Sequence, residues 1–320
     1  MFRASVIKEL SLRNFIVAVC FAAIGLSLGA CKKDQSTTGE SAQESMGLYA
    51  KGFNALIDSP MEMVKEYEDK IPEAGPPGDD QKPRLFPRQN FADNKIKEAR
   101  DAFAAAKKAA PKSLEALGPV ADRAIAGAEK SLKIFTDAHK YYDAEDYKDD
   151  QFAKGKALHT QMMAAIGEFR GAIRELQAGL SKVEDEQAAS ELTKYKQDSY
   201  GYWFRFFNQQ AKKFVDTTQA AGSPEELAKL EESFKPIDAA FTGLQAFLAS
   251  KNPPQATFKA YTDSAGRFHS TGKKLLRAIK EGQADGNALT QAGNSLVSDY
   301  NTLVSLANSL YELEGNDLLK

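Results

Sequence analysis

Three histidines, two cysteines and a knot of carboxylates are the side chains in this sequence best suited to chemistry. His139 and His159 lie ten positions either side of Asp149. A helical hairpin bending over residues 143 to 150 would set them at one level, where two imidazoles and a nearby carboxylate begin a site for zinc or a similar ion. Two ligands alone do not close such a site, and the plainer reading is a pair of helix-surface or satisfied core residues. The cluster Asp143, Glu145, Asp146, Asp149 and Asp150 offers hard oxygen ligands of the kind calcium takes. It lacks the mid-loop glycine and twelfth-position glutamate of an EF-hand, so a solvated turn between helices is expected, with the neighbouring tyrosines turning rings inward and hydroxyls toward water. His269 follows Phe268 in an apolar stripe and is expected to flank the core.

Tyr200, Tyr202, Trp203, Phe204, Phe206 and Phe207 form the densest aromatic group, with Arg205 among them. They cannot all point to one side of a helix, so a stacking or sugar-binding surface stands beside a wide buried face at a junction. Tyr142, Tyr147 and Trp203 are the candidate ligand-binding side chains, and His139 and His159 the candidate metal ligands. No His-Glu-x-x-His pair, phosphate loop or Gly-x-Ser-x-Gly elbow is present, so neither an enzyme nor a cofactor is expected, although a carboxylate-based hydrolase is left open.

The cysteines belong to the first 31 residues. Arg3, Lys8 and Arg13 precede an uncharged apolar run from Phe15 to Leu28. Fourteen residues at about 1.5 Å each make roughly 21 Å of helix, short of the roughly 30 Å hydrocarbon core, so the run reads as a secretory h-region rather than a membrane span. It ends in Leu28-Gly29-Ala30-Cys31, which resembles a bacterial lipobox. That resemblance implies cleavage between Ala30 and Cys31, a diacylglycerol on the Cys31 thiol, and acylation of the new amino terminus by a fatty acid such as palmitate. Cys20 lies inside the h-region, so the mature chain would hold no thiol beyond the modified one, leaving no disulfide, cysteine metal site or cysteine nucleophile. Several acyl chains suffice for stable anchoring without a basic patch. Lys32, rather than the aspartate that resemblance associates with inner-membrane retention, points to the outer membrane facing the periplasm in a Gram-negative cell.

The 320 residues carry 42 Lys plus Arg against 44 Asp plus Glu, with 42% hydrophobic and 27% charged residues, an ordinary globular profile. A net charge of −2 gives no one-signed field to gather phosphate backbones, so no nucleic-acid partner is expected. Without the leader 39 basic side chains face 43 acidic ones, a net of −4. Residues 32 to 44 contain one apolar side chain and no periodicity, so with Cys31 they read as a flexible tether reaching up to roughly 45 Å.

The body from 45 to 320 is expected to be all-α, an elongated multi-helix bundle, with two stacked sub-bundles meeting near 190–200 and a continuous helix passing through Glu184-Asp185-Glu186. Apolar steps of three and four run through Met162, Ile166, Phe169, Ile173, Leu176, Leu180 and Val183, and again from Leu227, from Phe258 and from Leu296. No run alternates with the period of two that a half-buried strand needs. Gly222-Ser223-Pro224-Glu225-Glu226 has the order of a helix end followed by a capped start with proline at the first position. Asn252-Pro253-Pro254 and Gly282 to Gly286 separate later helices, and Pro236 is expected to kink one. Residues 72 to 90 hold five prolines and two glycines. They read as a connector or a partner-binding loop pinned by Leu85 and Phe86.

The stretch Tyr141-Tyr142-Asp143-Ala144-Glu145-Asp146-Tyr147 through Asp150, Gly155 and His159 resembles the signature region of the YiiG-like family of bacterial lipoproteins. Tyr49 to Ile57 and Tyr300 to Val304 agree with it, and the likeness spans most of residues 45 to 312. It implies an all-helical body behind a lipobox and a domain of unknown function, with no catalytic residues to carry over. The expectation is therefore a lipid-anchored envelope protein whose helical body serves as a structural or envelope-partner-binding module, with a small-ligand or metal-binding lipoprotein as the alternative.

Overall fold

A computed structural model describes residues 37–72, 75–76, 83–220, 224–251, 256–281 and 286–313. The leader, Cys31, residues 32–36, the centre of the proline-rich segment, Gly222-Ser223 and Asn252-Pro253-Pro254 lie outside the described residues. The elements are α1 (Thr37–Ile57), α2 (Ser59–Lys70), α3 (Gln89–Ala109), α4 (Leu117–Asp143), α5 (Ala153–Leu192), α6 (Tyr200–Ala220), α7 (Pro224–Lys251), α8 (Ala256–Glu281) and α9 (Gly286–Leu313). A 3-10 turn at Lys112–Leu114 and a single helical turn at Tyr147–Asp150 join neighbours. Among the described residues there is no strand, and the all-α expectation holds.

Helix α1 begins at Thr37, within the polar segment that reads as a tether, and is fixed to the body from the buried Ser45, Met46 and Tyr49 onward.

The chain divides into two compact units between Glu184 and Asp185, within α5 and at the charged interruption in its apolar stripe. In the N-terminal unit α1 and α3 run antiparallel, with Tyr49 against Phe103, Lys51 3.9 Å from Glu98, and Asp58, just past α1, 3.2 Å from Lys95. Helices α4 and α5 form the expected hairpin, in a register that sets Arg123 on Glu175 and Lys130 on Glu168 at 2.6 and 2.8 Å. All seven members of the Met162–Val183 stripe are buried. Arg170 of α5 grips Glu68 of α2 through both guanidinium NH groups at 2.6 and 2.7 Å, with side chains only 15% and 16% exposed. Two-pronged and mostly dry, this bond counts for more than the exposed pairs, which contribute about 0–1 kcal/mol each.

In the C-terminal unit α6 to α9 enclose an aromatic core of Phe204, Phe207, Phe214, Phe234, Phe258, Tyr261 and Phe268. The Tyr261 hydroxyl reaches Asn208 Oδ1 at 2.8 Å and the Phe204 carbonyl at 3.1 Å, which places its one polar atom without loss. Helix α7 opens at Pro224, as its signature predicts, and runs on through Pro236.

Two kinds of glycine in the α4–α5 hairpin give opposite expectations. A Cβ on Gly127 would stand 2.8 Å from the Phe169 Cα, a backbone atom that cannot swing away, whereas Gly167 and Gly171 face open space. Gly127→Ala is expected to destabilise the protein by about 1–3 kcal/mol despite the better helix propensity of alanine. Gly171→Ala should stabilise it by about 0.5–1 kcal/mol. Urea unfolding followed by circular dichroism reads both, and equal signs would refute the close packing of α4 on α5.

Candidate functional site

The α4–α5 bend gathers most of the chemistry-bearing residues, and its conformation rests on the Asp150 carboxylate. The bend needs three non-glycine residues in the left-handed region, Glu145 (φ 62°), Gln151 (φ 51°) and Phe152 (φ 65°). Each costs roughly 1–2 kcal/mol in isolation. What offsets this is local. Asp150 Oδ1 accepts the Tyr141 hydroxyl at 2.6 Å and Oδ2 accepts the Lys154 N–H at 2.9 Å. The amides of Phe152 and Ala153 also face the carboxylate. Phe152 is buried and stacks on Tyr147, centroids 4.8 Å apart. Asp150 thus stands at the positive end of the 40-residue α5.

Electrostatics follow from these contacts. The Tyr141 hydroxyl first, and then the backbone amides, hold the Asp150 carboxyl below the usual carboxylate range. Burial first, and then the hydrogen bond to Asp150, raise the Tyr141 hydroxyl above the ordinary tyrosine value. Burial, with a smaller push from Asp150, moves Tyr142 up to about 12. The tyrosines correct the sequence reading. Their rings do turn inward, but the Tyr141 hydroxyl is spent on Asp150, and that of Tyr142 is buried without a hydrogen-bond partner among the described residues, pressed toward Gly155. Asp143, Asp146 and Asp149 are exposed, as a solvated turn requires.

The hairpin carries one of the two candidate histidines on each limb, His139 on α4 and His159 on α5. The two imidazoles have different surroundings. His159 is buried, stacked on Tyr67 of α2 with centroids 6.0 Å apart and Nδ1 3.4 Å from its hydroxyl, while His139 is half-buried on α4. Among the described residues no three His, Cys, Asp or Glu side chains converge on a metal-sized site. Tyr67, which the sequence analysis did not single out, is fully buried, and its spacing from Met63 on α2 was the signal for it.

In the C-terminal unit the aromatic group separates by face. Phe204 and Phe207 are fully buried, and Tyr200 packs edge-on against Phe247 and Phe258. Trp203 lies over Gly243, where a Cβ would overlap its ring. Tyr202 and Phe206 stack on each other, 5.7 Å apart and half-buried. Of the candidate ligand-binding residues, Tyr142 and Tyr147 are buried packing side chains and Trp203 fills the groove at Gly243. His269 sits between Phe234 and Phe241, with Nε2 2.8 Å from Asp238 Oδ1, and Lys273 reaches the same oxygen at 2.9 Å. Lys273 first, then His269, hold the Asp238 carboxyl below its usual range.

Helices joined by short turns, two compact units and a bend fixed by one carboxylate define an all-α protein, with no group of three metal-ligating side chains among the described residues. The chain belongs to the family described as "Protein of unknown function (DUF3829)", whose model matches residues 40–308. It is similar to the "Uncharacterized protein YiiG" of Escherichia coli (strain K12), with 23% identity over 249 residues, covering 74% of this chain and 66% of that protein. The chain thus spans about two thirds of that relative's length. No solved structure matches it.

The lowered Asp150 value fixes the sign of a pH effect. A depressed carboxyl stabilises the fold above its unfolded value near about 4, and that stabilisation is lost as pH falls through the folded value. Asp150→Asn is therefore expected to lower the melting temperature clearly at pH 7 and progressively less below about pH 4. A gap of constant size from pH 7 to pH 3 in paired thermal melts would remove Asp150 as the charge that holds the bend.

Proposed function

We propose that this protein is a lipid-anchored component of the bacterial envelope, held by Cys31 and facing the periplasm, whose helical body acts as a structural or partner-binding module. The observation that carries the reading is the order of the first 31 residues: basic flank, fourteen-residue apolar run, then Leu28-Gly29-Ala30-Cys31. The family match and the all-helical body agree with it. Lys32 favours the outer membrane in a Gram-negative cell. Among the described residues no helix is long and apolar enough to cross a membrane.

The body's polar residues support a module rather than a ligand receptor. Asp150, Glu68, Arg170, His159 and Asp238 are each engaged with protein groups that position helices.

The anchor is tested by Cys31→Ser in cells fed radiolabelled palmitate. The parent should take up label and enter the detergent phase, and the variant should do neither; unchanged label and partitioning would overturn the reading. Native mass spectrometry of the purified mature chain should give the mass of polypeptide plus acyl groups. A reproducible further mass would replace the module reading by the small-ligand or metal-binding one.

A further inference from the structure

Two surfaces depart from the sequence reading. Leu85 is buried and pins the return limb of the proline-rich segment, whereas the Phe86 side chain, expected to pin it too, is 58% exposed. The other surface is the outward side of α9. Its sequence repeats, since Asn294-Ser295-Leu296-Val297-Ser298 returns seven positions on as Asn301-Thr302-Leu303-Val304-Ser305, and Asn308-Ser309-Leu310 begins it again. Seven residues make almost two turns of helix, so each residue type keeps its own side. Leu296, Leu303 and Leu310 are fully buried in the aromatic core. Asn294, Ser298, Asn301 and Ser305 instead line an open groove of about 630 Å³, whose apolar part is the buried Val297 and the half-buried Leu306. Asp299 is the one charged residue between Gly286 and Tyr311, in a chain that is 27% charged. It is turned to α8, where the Thr271 hydroxyl donates to it at 2.6 Å. The Thr302 hydroxyl is spent on the Ser298 carbonyl at 3.0 Å, while among the described residues no hydrogen bond engages the Asn294 or Asn301 amide.

We infer that this groove holds a β-1,4-linked glycan of N-acetylated hexosamines. The inference names a partner for the module proposed above and rests on that reading, not on the lipid anchor. The chemistry of the lining selects the occupant. Carboxamides and hydroxyls both donate and accept, which suits the hydroxyl and acetamido groups of such a sugar, and two aliphatic side chains receive its C–H face and acetyl methyl. A charged ligand would find no counter-charge in the lining. A protein partner is a poorer fit, since the lining offers no aromatic or arginine anchor of the kind that carries protein interfaces. The spacing adds a second argument. Asn294 and Asn301 stand about 10.5 Å apart along the helix, the length of one β-1,4-linked disaccharide, so a periodic polymer meets the same carboxamide at each repeat.

The test uses the mature chain with Cys31→Ser, free of lipid, titrated calorimetrically with β-1,4-linked N-acetylglucosamine oligomers of two, four and six rings. Affinity is expected to rise about ten-fold from two rings to four and then level off, because Asn294 to Asn308 spans about 21 Å, two disaccharides. Asn301→Ala should weaken the four-ring oligomer about ten-fold with the melting temperature unchanged or raised, alanine being the better helix former. No binding of any oligomer by the folded chain, or binding that Asn294→Ala and Asn301→Ala both leave untouched, would overturn the inference and leave the module reading standing. A dimer in sedimentation that Asn301→Ala dissociates, with no oligomer bound, would overturn it in favour of a second copy of this chain. A small molecule found already bound by native mass spectrometry would overturn the module reading and this inference with it.

Discussion

The Asp150 carboxylate is the contact on which the N-terminal unit depends. Its two oxygens hold a tyrosine hydroxyl from the end of α4 and a backbone amide from the start of α5, so one side chain joins both limbs of the hairpin across the bend. That joint permits Gln151 and Phe152 to stay in a backbone region which neither residue favours. From the bend the register runs without slack through Lys130 on Glu168 and Arg123 on Glu175, and Gly127 lets α5 close to backbone contact at Phe169. A shift of one residue at the bend would move every one of those partners. Within the acidic segment, Asp150 is thus a structural part of the turn.

The C-terminal unit solves its packing by different means. Its core is rich in aromatic rings, meeting in edge-on and tilted pairs around Phe204, Phe214 and Phe268. Such pairs add roughly 0.5–1.5 kcal/mol each beyond the area they bury. Where polar groups do enter, as at His269 between two phenyl rings, the outer nitrogen is met by a carboxylate that Lys273 also holds. Histidine here behaves as a flat aromatic with one anchored edge, which is the packing role its place beside the apolar stripe suggested.

Helices were legible in the sequence because their signal repeats. The 162–183 stripe offers seven positions that must all face one way, and the proline at 224 marks a start that composition alone would not. The hairpin about the acidic bend was legible in the same way. What could not be counted was rotation about each helix axis and the partner supplied by another helix: Tyr67 lies 92 positions from His159.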